Sequence, residues 1–183
     1  MPNWCNNNIS ISGPIETIKT IWEQATAEGE DNGLLDAMMP MPKELNGTEG
    51  MSDGPNWYSW RVENWGTKWE VSTEGLEFTD NGDGTASIDG WFDSAWAPPI
   101  GAYENFCDMM DNCSLSASYY EPGMDFAGFW VDGVDEYCED LHSEYKAGDD
   151  ASDLYKRLDD EFGLSEQFEQ WDDDEEMLID DEA

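Results

Sequence analysis

Residues 8–22 read NISISGPIETIKTIW, and this stretch decides the fold. Ile9 and Ile11 alternate with serines and stop at Gly13-Pro14, which is typical of a half-buried strand followed by a turn. From Pro14 onwards isoleucines recur at helical spacing, and proline is favoured in the first turn of a helix. The chain therefore begins with a strand that leads directly into a helix.

The remainder of the first 131 residues continues this pattern. Leu76–Thr79 and Thr85–Phe92 flank a glycine-rich turn, which indicates a hairpin. Residues 100–110 carry apolar side chains at helical spacing, and strands are predicted at residues 115–119 and 126–131. This order of elements is compatible with an α+β fold of the ferredoxin-like type, in which helices cover one face of an antiparallel sheet.

Two segments between these elements have weaker patterns. Residues 30–56 are rich in glycine and proline, and we expect them to form a structured excursion on the surface. Residues 57–71 include four tryptophans, and their secondary structure stays open at this point. Because large aromatic side chains dominate protein cores, we assign most tryptophans and tyrosines to the interior.

No constellation in the sequence predicts catalysis, a metal or a cofactor. The turn at residues 80–84 resembles part of an EF-hand loop, but the first and twelfth ligand positions would be Thr79 and Gly90, which argues against calcium. Zinc binding is not indicated by the cysteines, which lack C-x-x-C spacing and are expected to be reduced and buried: Cys5, Cys107, Cys113 and Cys138. The protein is therefore not expected to be an enzyme.

The charge of the chain is its most unusual property. The 183 residues include 44 acidic and 7 basic ones, for a net charge of −37, whereas a small domain typically carries roughly 2 to 8 charges of one sign. Repulsion between carboxylates and phosphates argues against direct binding of nucleic acid. No signal peptide and no run of roughly 20 apolar residues is present, so we predict a cytoplasmic protein without membrane contact.

Half of the acidic residues lie in the last 52 residues, and we divide the chain accordingly. Residues 1–131 form the ferredoxin-like domain, residues 132–171 an acidic helical extension, and residues 172–183 a flexible acidic tail. Apolar residues at helical spacing predict one amphipathic helix from Val134 to Tyr145, docked on the domain. A second helix is predicted between Ser152 and Gly163.

Carboxylates of this extension are the candidate partner-binding site. On a helix, residues i and i+4 lie about 5 to 6 Å apart, which is close to the spacing of phosphates. We therefore predict a phosphate-like row along the first helix, continued by the acidic tail: Asp135, Glu136, Glu139, Asp140, Glu144, Asp172, Asp173 and Asp174. The alternative is a solvated face that keeps the protein dispersed.

Several motifs resemble those of the YubB-like ferredoxin-like domain family of phage and plasmid proteins. They are MPNWCNN at residues 1–7, WGTKW at residues 65–69, FDSAWAPP at residues 92–99, and YEPG and FAG within residues 120–128. The resemblance covers residues 1 to about 131. It implies a ferredoxin-like fold and an origin in a mobile genetic element, but no activity.

Charge and resemblance together predict a nucleic-acid mimic. Such a phage or plasmid protein would bind and inhibit a basic, nucleic-acid-binding host protein, such as a defence or restriction factor, in the cytoplasm of the host cell. One alternative is an accessory or structural phage protein whose charge serves solubility or assembly. The other is an enzyme of unknown substrate.

Overall fold

A six-stranded antiparallel sheet forms the centre of the protein. The computed structural model describes residues 3–29, 32–50 and 53–180, with side chains up to residue 172. The strands follow the order β2-β3-β1-β4-β5-β6 across the sheet, and each neighbouring pair is antiparallel. Their bounds are β1 Trp4–Pro14, β2 Leu76–Asp80, β3 Thr85–Ala95, β4 Ser114–Glu121, β5 Phe126–Val131 and β6 Val134–Glu139.

Seven α-helices connect or cover these strands within the described ranges. None of them is both long enough and apolar enough to cross a membrane. Two short 3-10 helices, Lys43–Leu45 and Gly148–Asp150, complete the structure. The α-helices are α1 Ile15–Ala25, α2 Leu34–Met38, α3 Trp57–Asn64, α4 Ile100–Met109, α5 Leu141–Ala147, α6 Asp153–Phe162 and α7 Leu164–Asp180.

The first part of the chain has the predicted ferredoxin-like arrangement. Strands β1 to β4 occur in the order β2-β3-β1-β4, with α1 after β1 and α4 after β3, which is the split βαβ pattern of that fold. Strands β5 and β6 extend the sheet beyond β4. The α+β class with an antiparallel sheet is therefore confirmed.

The main hydrophobic core lies between one face of the sheet and helices α1, α2 and α4. On β1, alternate residues such as Ile9 and Ile11 are buried against it, as the period of two in a strand requires. In α2, Leu34 and Leu35 are fully buried in the same core. The prediction that this excursion lies on the surface was wrong for its short apolar segment, because α2 packs against α1 and α4 in the core.

A second core lies on the opposite face of the sheet. Tyr119 belongs to the first core and Tyr120 to the second, and neighbouring residues of a strand point to opposite faces. The second core forms where α5, α6 and α7 cover strands β4 to β6. Its buried members are Tyr120, Ala127, Cys138, Leu141, Ala151, Tyr155, Leu158, Leu164 and Phe168.

The predicted second helix of the extension is confirmed as α6. The Ser152 hydroxyl accepts a hydrogen bond from the Tyr155 backbone N–H at 3.1 Å and caps the first turn. Gly163 ends the helix with φ 62°, a left-handed conformation that glycine adopts without strain. Leu158, on the inner side of α6, is fully buried.

The predicted helix from Val134 to Tyr145 was wrong. Residues Val134–Glu139 form β6 and pair with β5, and only Leu141–Ala147 is helical. The turn residues Asp132 and Gly133 have φ values of 44° and 94°, and a two-residue turn with positive φ at both positions produces a tight hairpin. This turn keeps the chain in the sheet.

The domain boundaries change with this correction. The boundary predicted at residue 131 falls in the hairpin between β5 and β6, so β6 belongs to the same sheet as the ferredoxin-like domain. The boundary predicted at residue 172 falls inside α7, which ends at Asp180. The last part of the predicted tail, residues 181–183, lies outside the described residues.

The four cysteines are free, as predicted. Cys5 and Cys138 are buried, whereas Cys107 and Cys113 are partly exposed, so burial was predicted correctly for only two of them. Burial raises the pKa of the Cys5 thiol to about 12, which keeps it protonated at neutral pH.

Candidate functional site

The predicted row of phosphate-like carboxylates does not form, because its first half lies on a strand. In a strand, neighbouring side chains point to opposite faces and residues i and i+4 lie about 13 Å apart. Asp135 and Glu139 therefore do not have the spacing that a helix would have given them, and Glu136 faces the opposite side of the sheet. The predicted acids must be considered one at a time.

Asp135 and Glu144 are held by hydrogen bonds within the protein. The Tyr119 hydroxyl donates to the Asp135 carboxylate at 2.6 Å, and burial together with this carboxylate raises the pKa of Tyr119. The Glu144 carboxylate accepts the Ser152 backbone N–H at 2.7 Å, just ahead of α6. These two acids contribute to the structure as well as to the charge.

Glu136 and Asp172 are paired with cations. The Arg157 guanidinium donates to both oxygens of Glu136, at 3.2 and 3.0 Å, and lowers the pKa of that carboxyl. Asp172 contacts the Lys146 ammonium and, at 3.2 Å, the His142 ring, and its pKa is lowered mainly by Lys146. Both pairs connect elements of the second core.

The remaining predicted acids differ in what the structure shows of them. Glu139 and Asp140 are exposed at the end of β6, and Asp140 has a left-handed backbone, φ 55°. Asp173 and Asp174 lie further along α7, and their side chains fall outside the described residues. Of the predicted set with described side chains, Glu139 and Asp140 are thus the acids whose carboxylates face solvent and take part in no hydrogen bond or ion pair of the described structure.

A larger group of exposed acids lies on α6 and α7. Asp160, Glu166 and Glu169 are exposed there. The chain has an accessible surface of 10709 Å² and a net charge of −37, about one negative charge per 290 Å². A DNA duplex carries roughly one per 110 Å². Residues 132–183 hold 22 of the 44 acidic residues, so the charge per residue is higher there than in the rest of the chain.

This charge should make the stability depend on salt. Self-repulsion destabilises a compact state, and screening shortens from about 30 Å at 0.01 M to about 10 Å at 0.1 M ionic strength. We expect the midpoint of thermal unfolding to rise as sodium chloride is added over this range, which calorimetry or circular dichroism can follow. A melting temperature that does not change would show that the carboxylates are already compensated.

The part of the second face that α5–α7 leave uncovered forms a groove lined by both polar and apolar residues. Asn8 and Ser118, on β1 and β4, both donate hydrogen bonds to the Glu161 carboxylate of α6, at 3.2 and 2.9 Å. The groove has a volume of about 360 Å³ and includes Asp89 and Phe129 in its lining. This network fixes α6 over the sheet and leaves carboxylates along the groove.

A second cleft lies towards β2 and the N-terminal end of β1. Its volume is about 590 Å³, and Trp4, Trp91, Glu74 and Asp93 are in its lining. Both indoles are exposed, Trp91 by 63% and Trp4 by 45%. The Asn6 amide donates to one oxygen of Asp93 at 2.7 Å, and in the described structure the other oxygen takes no hydrogen bond.

Sequence reasoning missed these groove and cleft residues. Tryptophans were assigned to the core, yet four of them are exposed on the protein: Trp4, Trp91, Trp96 and Trp171. A signal was present, because polar residues alternate with buried ones along β1, which shows that one face of that strand meets water. Within the described ranges, no group of three or more His, Cys, Asp or Glu residues is placed to hold a metal ion.

The sequence matches no protein-family model and no curated protein. Among solved structures, it is similar to the crystal structure of the protein api92 from Yersinia pseudotuberculosis, which is assigned to the family model DUF1281. The two are 21% identical, with a TM-score of 0.41, and the match covers 59% of this chain and 39% of that chain. The chain thus spans well under half the length of that protein.

Proposed function

We propose that this protein is a nucleic-acid mimic of phage or plasmid origin, which binds a basic nucleic-acid-binding protein of the host and inhibits it. The observation that supports this proposal is the surplus of exposed carboxylates on the C-terminal helices. Residues 132–183 hold 22 acidic residues and 3 basic ones, so the basic residues are too few to neutralise the carboxylates.

The three cations of this region already have partners inside the protein. Arg157 contacts Glu136 and Lys146 contacts Asp172, and the Lys156 ammonium donates to the Asp149 carbonyl oxygen at 3.1 Å. The remaining carboxylates can therefore meet lysine and arginine side chains of a partner. Such complementary charge accelerates association and weakens as salt is added.

The mimic would act by occlusion and needs no catalytic step. Lysine and arginine rows of the partner would pair with carboxylates instead of phosphates, so nucleic acid could no longer enter the same groove. The resemblance to mobile-element proteins agrees with a role against a host defence or restriction factor.

Affinity capture from a bacterial lysate tests the proposal. The lysate is treated with nuclease, so that nucleic acid cannot bridge the two proteins, and the immobilised full chain is washed at about 50 mM and then about 200 mM salt. Complexes with 6 to 10 phosphate contacts lose roughly 10³ to 10⁵ in affinity over this range. We expect nucleic-acid-binding proteins to be retained at the lower salt and released at the higher one.

Two results would contradict the proposal. Recovery of no nucleic-acid-binding protein at the lower salt would leave the charge without a partner. Capture that persists unchanged at the higher salt would show an apolar interface. In the accessory-protein alternative, the charge keeps the protein soluble. Variants with neutral substitutions would then precipitate, and the unmodified protein would hold no host protein.

A further inference from the structure

The cleft between Trp4 and Trp91 has the composition of a cation-binding site. Its lining combines two exposed indoles with carboxylates, and it includes no basic residue among the described side chains. A tryptophan face is the strongest partner of a cation among aromatic side chains.

The order of groups along the sheet places a carboxylate between the two indoles. Trp4 pairs with Ala95, and Asn6 and Asn8 pair with Asp93 and Trp91. Trp4, Asp93 and Trp91 therefore follow one another on the same face of the sheet. Because Asn6 holds one carboxylate oxygen of Asp93 at 2.7 Å, that side chain is oriented before any ligand arrives.

The backbone around Trp91 holds this wall of the cleft. A Cβ atom placed on Gly75 would come within 3.0 Å of the Trp91 ring and 2.3 Å of its carbonyl oxygen. The indole therefore packs directly over Gly75, where no larger residue fits. This packing supports the ring from one side and leaves 63% of the residue exposed.

The protein already binds one of its own cations in this way beside the cleft. The Lys68 ammonium lies 3.8 Å from the centroid of the Trp69 ring and 4.1 Å from that of Trp96. Trp69 in turn packs against Trp4, with ring centroids 5.8 Å apart. Trp69 and Trp96 thus hold a cation, and Trp4, which packs on Trp69, lies at the edge of the cleft.

We propose that the cleft binds an arginine side chain of a basic protein partner. A guanidinium is flat and stacks on indole, and its fork of donors matches a carboxylate such as Asp93. A volume of about 590 Å³ also admits the long aliphatic stem. The assignment of this arginine to a protein partner rests on the proposed function, because nucleic-acid-binding proteins present arginine side chains to phosphates.

Glu74 and Glu70 contribute differently to the cleft. Glu74 is exposed at its rim and can add a second charge for the guanidinium. Glu70 accepts backbone N–H groups of Leu35, Asp36 and Val71 at 2.8, 2.9 and 3.0 Å. Its oxygens are therefore used by the fold, and we assign ligand binding to Asp93 with Glu74.

Nuclear magnetic resonance of the indole N–H groups tests this site in the full chain. The probe is N-acetylarginine amide, and its neutral isostere N-acetylcitrulline amide is the control, both at about 0.15 M salt to screen diffuse attraction. Trp4→Leu and Trp91→Leu assign the two signals. We expect arginine to shift both signals to saturation, citrulline to shift neither, and N-acetyllysine amide to bind more weakly.

Substitutions then separate this site from the general charge of the protein. Asp93→Asn should weaken arginine binding about tenfold, as expected for loss of a charge-assisted hydrogen bond, and Trp91→Leu by roughly three- to thirtyfold. Glu77→Gln removes an exposed charge on the neighbouring strand β2 and should change affinity less than twofold. An unchanged spectrum away from the cleft shows that each variant is folded.

Three results would overturn the inference. The first is that citrulline shifts the indole signals as much as arginine does. The second is that the affinity for arginine stays the same in Asp93→Asn and Trp91→Leu. The third is that spermidine binds more tightly than arginine at the same two indoles, which would make the ligand a polyamine. Because the probe is a small molecule, failure here would leave the proposed function intact. Failure of the capture experiment would leave an arginine site and remove only the assigned source of the arginine.

Discussion

Phe168→Ala should unfold the layer formed by α5, α6 and α7. Phe168 is fully buried in the second core and packs against the rings of His142, Tyr145 and Trp171, with centroids 5.1 to 5.6 Å away. Truncation of a buried phenylalanine to alanine lowers the free energy of unfolding by about 3–5 kcal/mol. That is a large share of the roughly 5–15 kcal/mol available to a whole protein.

Hydrogen exchange can locate this effect. Amides of α6 and α7 should lose protection, while those of β1 and α4 keep it, because the first core lies on the other face of the sheet. Met109→Ala removes an exposed apolar side chain from α4 and serves as the control, with a change below about 0.5 kcal/mol. Uniform loss of protection over both cores would contradict two separately packed layers.

Neutral substitution of the C-terminal carboxylates should weaken partner binding by about two orders of magnitude. The variant combines exposed acids whose carboxylates make no hydrogen bond within the described structure, so that the fold is spared. Exposed ion pairs contribute roughly 0.5 kcal/mol each, and five of them correspond to about a 70-fold loss of affinity. The substitutions are Glu139→Gln, Asp140→Asn, Asp160→Asn, Glu166→Gln and Glu169→Gln.

A matched variant separates this surface from the net charge. It carries five neutral substitutions on exposed residues outside the second core, so its net charge changes by the same amount. Its affinity for the partner should stay within about threefold of that of the unmodified protein. Titration calorimetry with the captured partner measures both variants. Equal losses would show that only total charge matters, and the site would have to be abandoned. The substitutions of this control are Glu28→Gln, Glu44→Gln, Glu49→Gln, Glu63→Gln and Glu104→Gln.

Short-range patterns predicted most of the fold. The alternation at Ile9 and Ile11 predicted β1, and the pair Ser152 and Gly163 predicted both ends of α6. These signals depend on residues close in sequence. The error at β6, where a helix was predicted and a strand is found, had a local origin as well. The Asp132-Gly133 turn favours a hairpin, but the spacing of the apolar residues also fitted a helix, and this second signal was given more weight.

The candidate sites depend on contacts that a single sequence does not reveal. Trp4 and Trp91 line the same cleft because β1 pairs with β3, and no local pattern determines the register of this pair. Likewise, the pairing of Glu136 with Arg157 follows from the docking of α6 beside β6. The acidic composition predicted that a charged surface exists, but only the tertiary structure separates carboxylates that hold the fold from those that can meet a partner.

Displacement of nucleic acid tests the central proposal most directly. A fluorescent DNA or RNA duplex bound to the captured partner is titrated with this protein at several salt concentrations, and fluorescence anisotropy reports the bound fraction. The proposal predicts complete displacement of the nucleic acid, with an affinity that falls steeply as salt rises. The variant with five neutral substitutions between Glu139 and Glu169 should displace less nucleic acid at the same concentration. A stable ternary complex of partner, nucleic acid and this protein would contradict it.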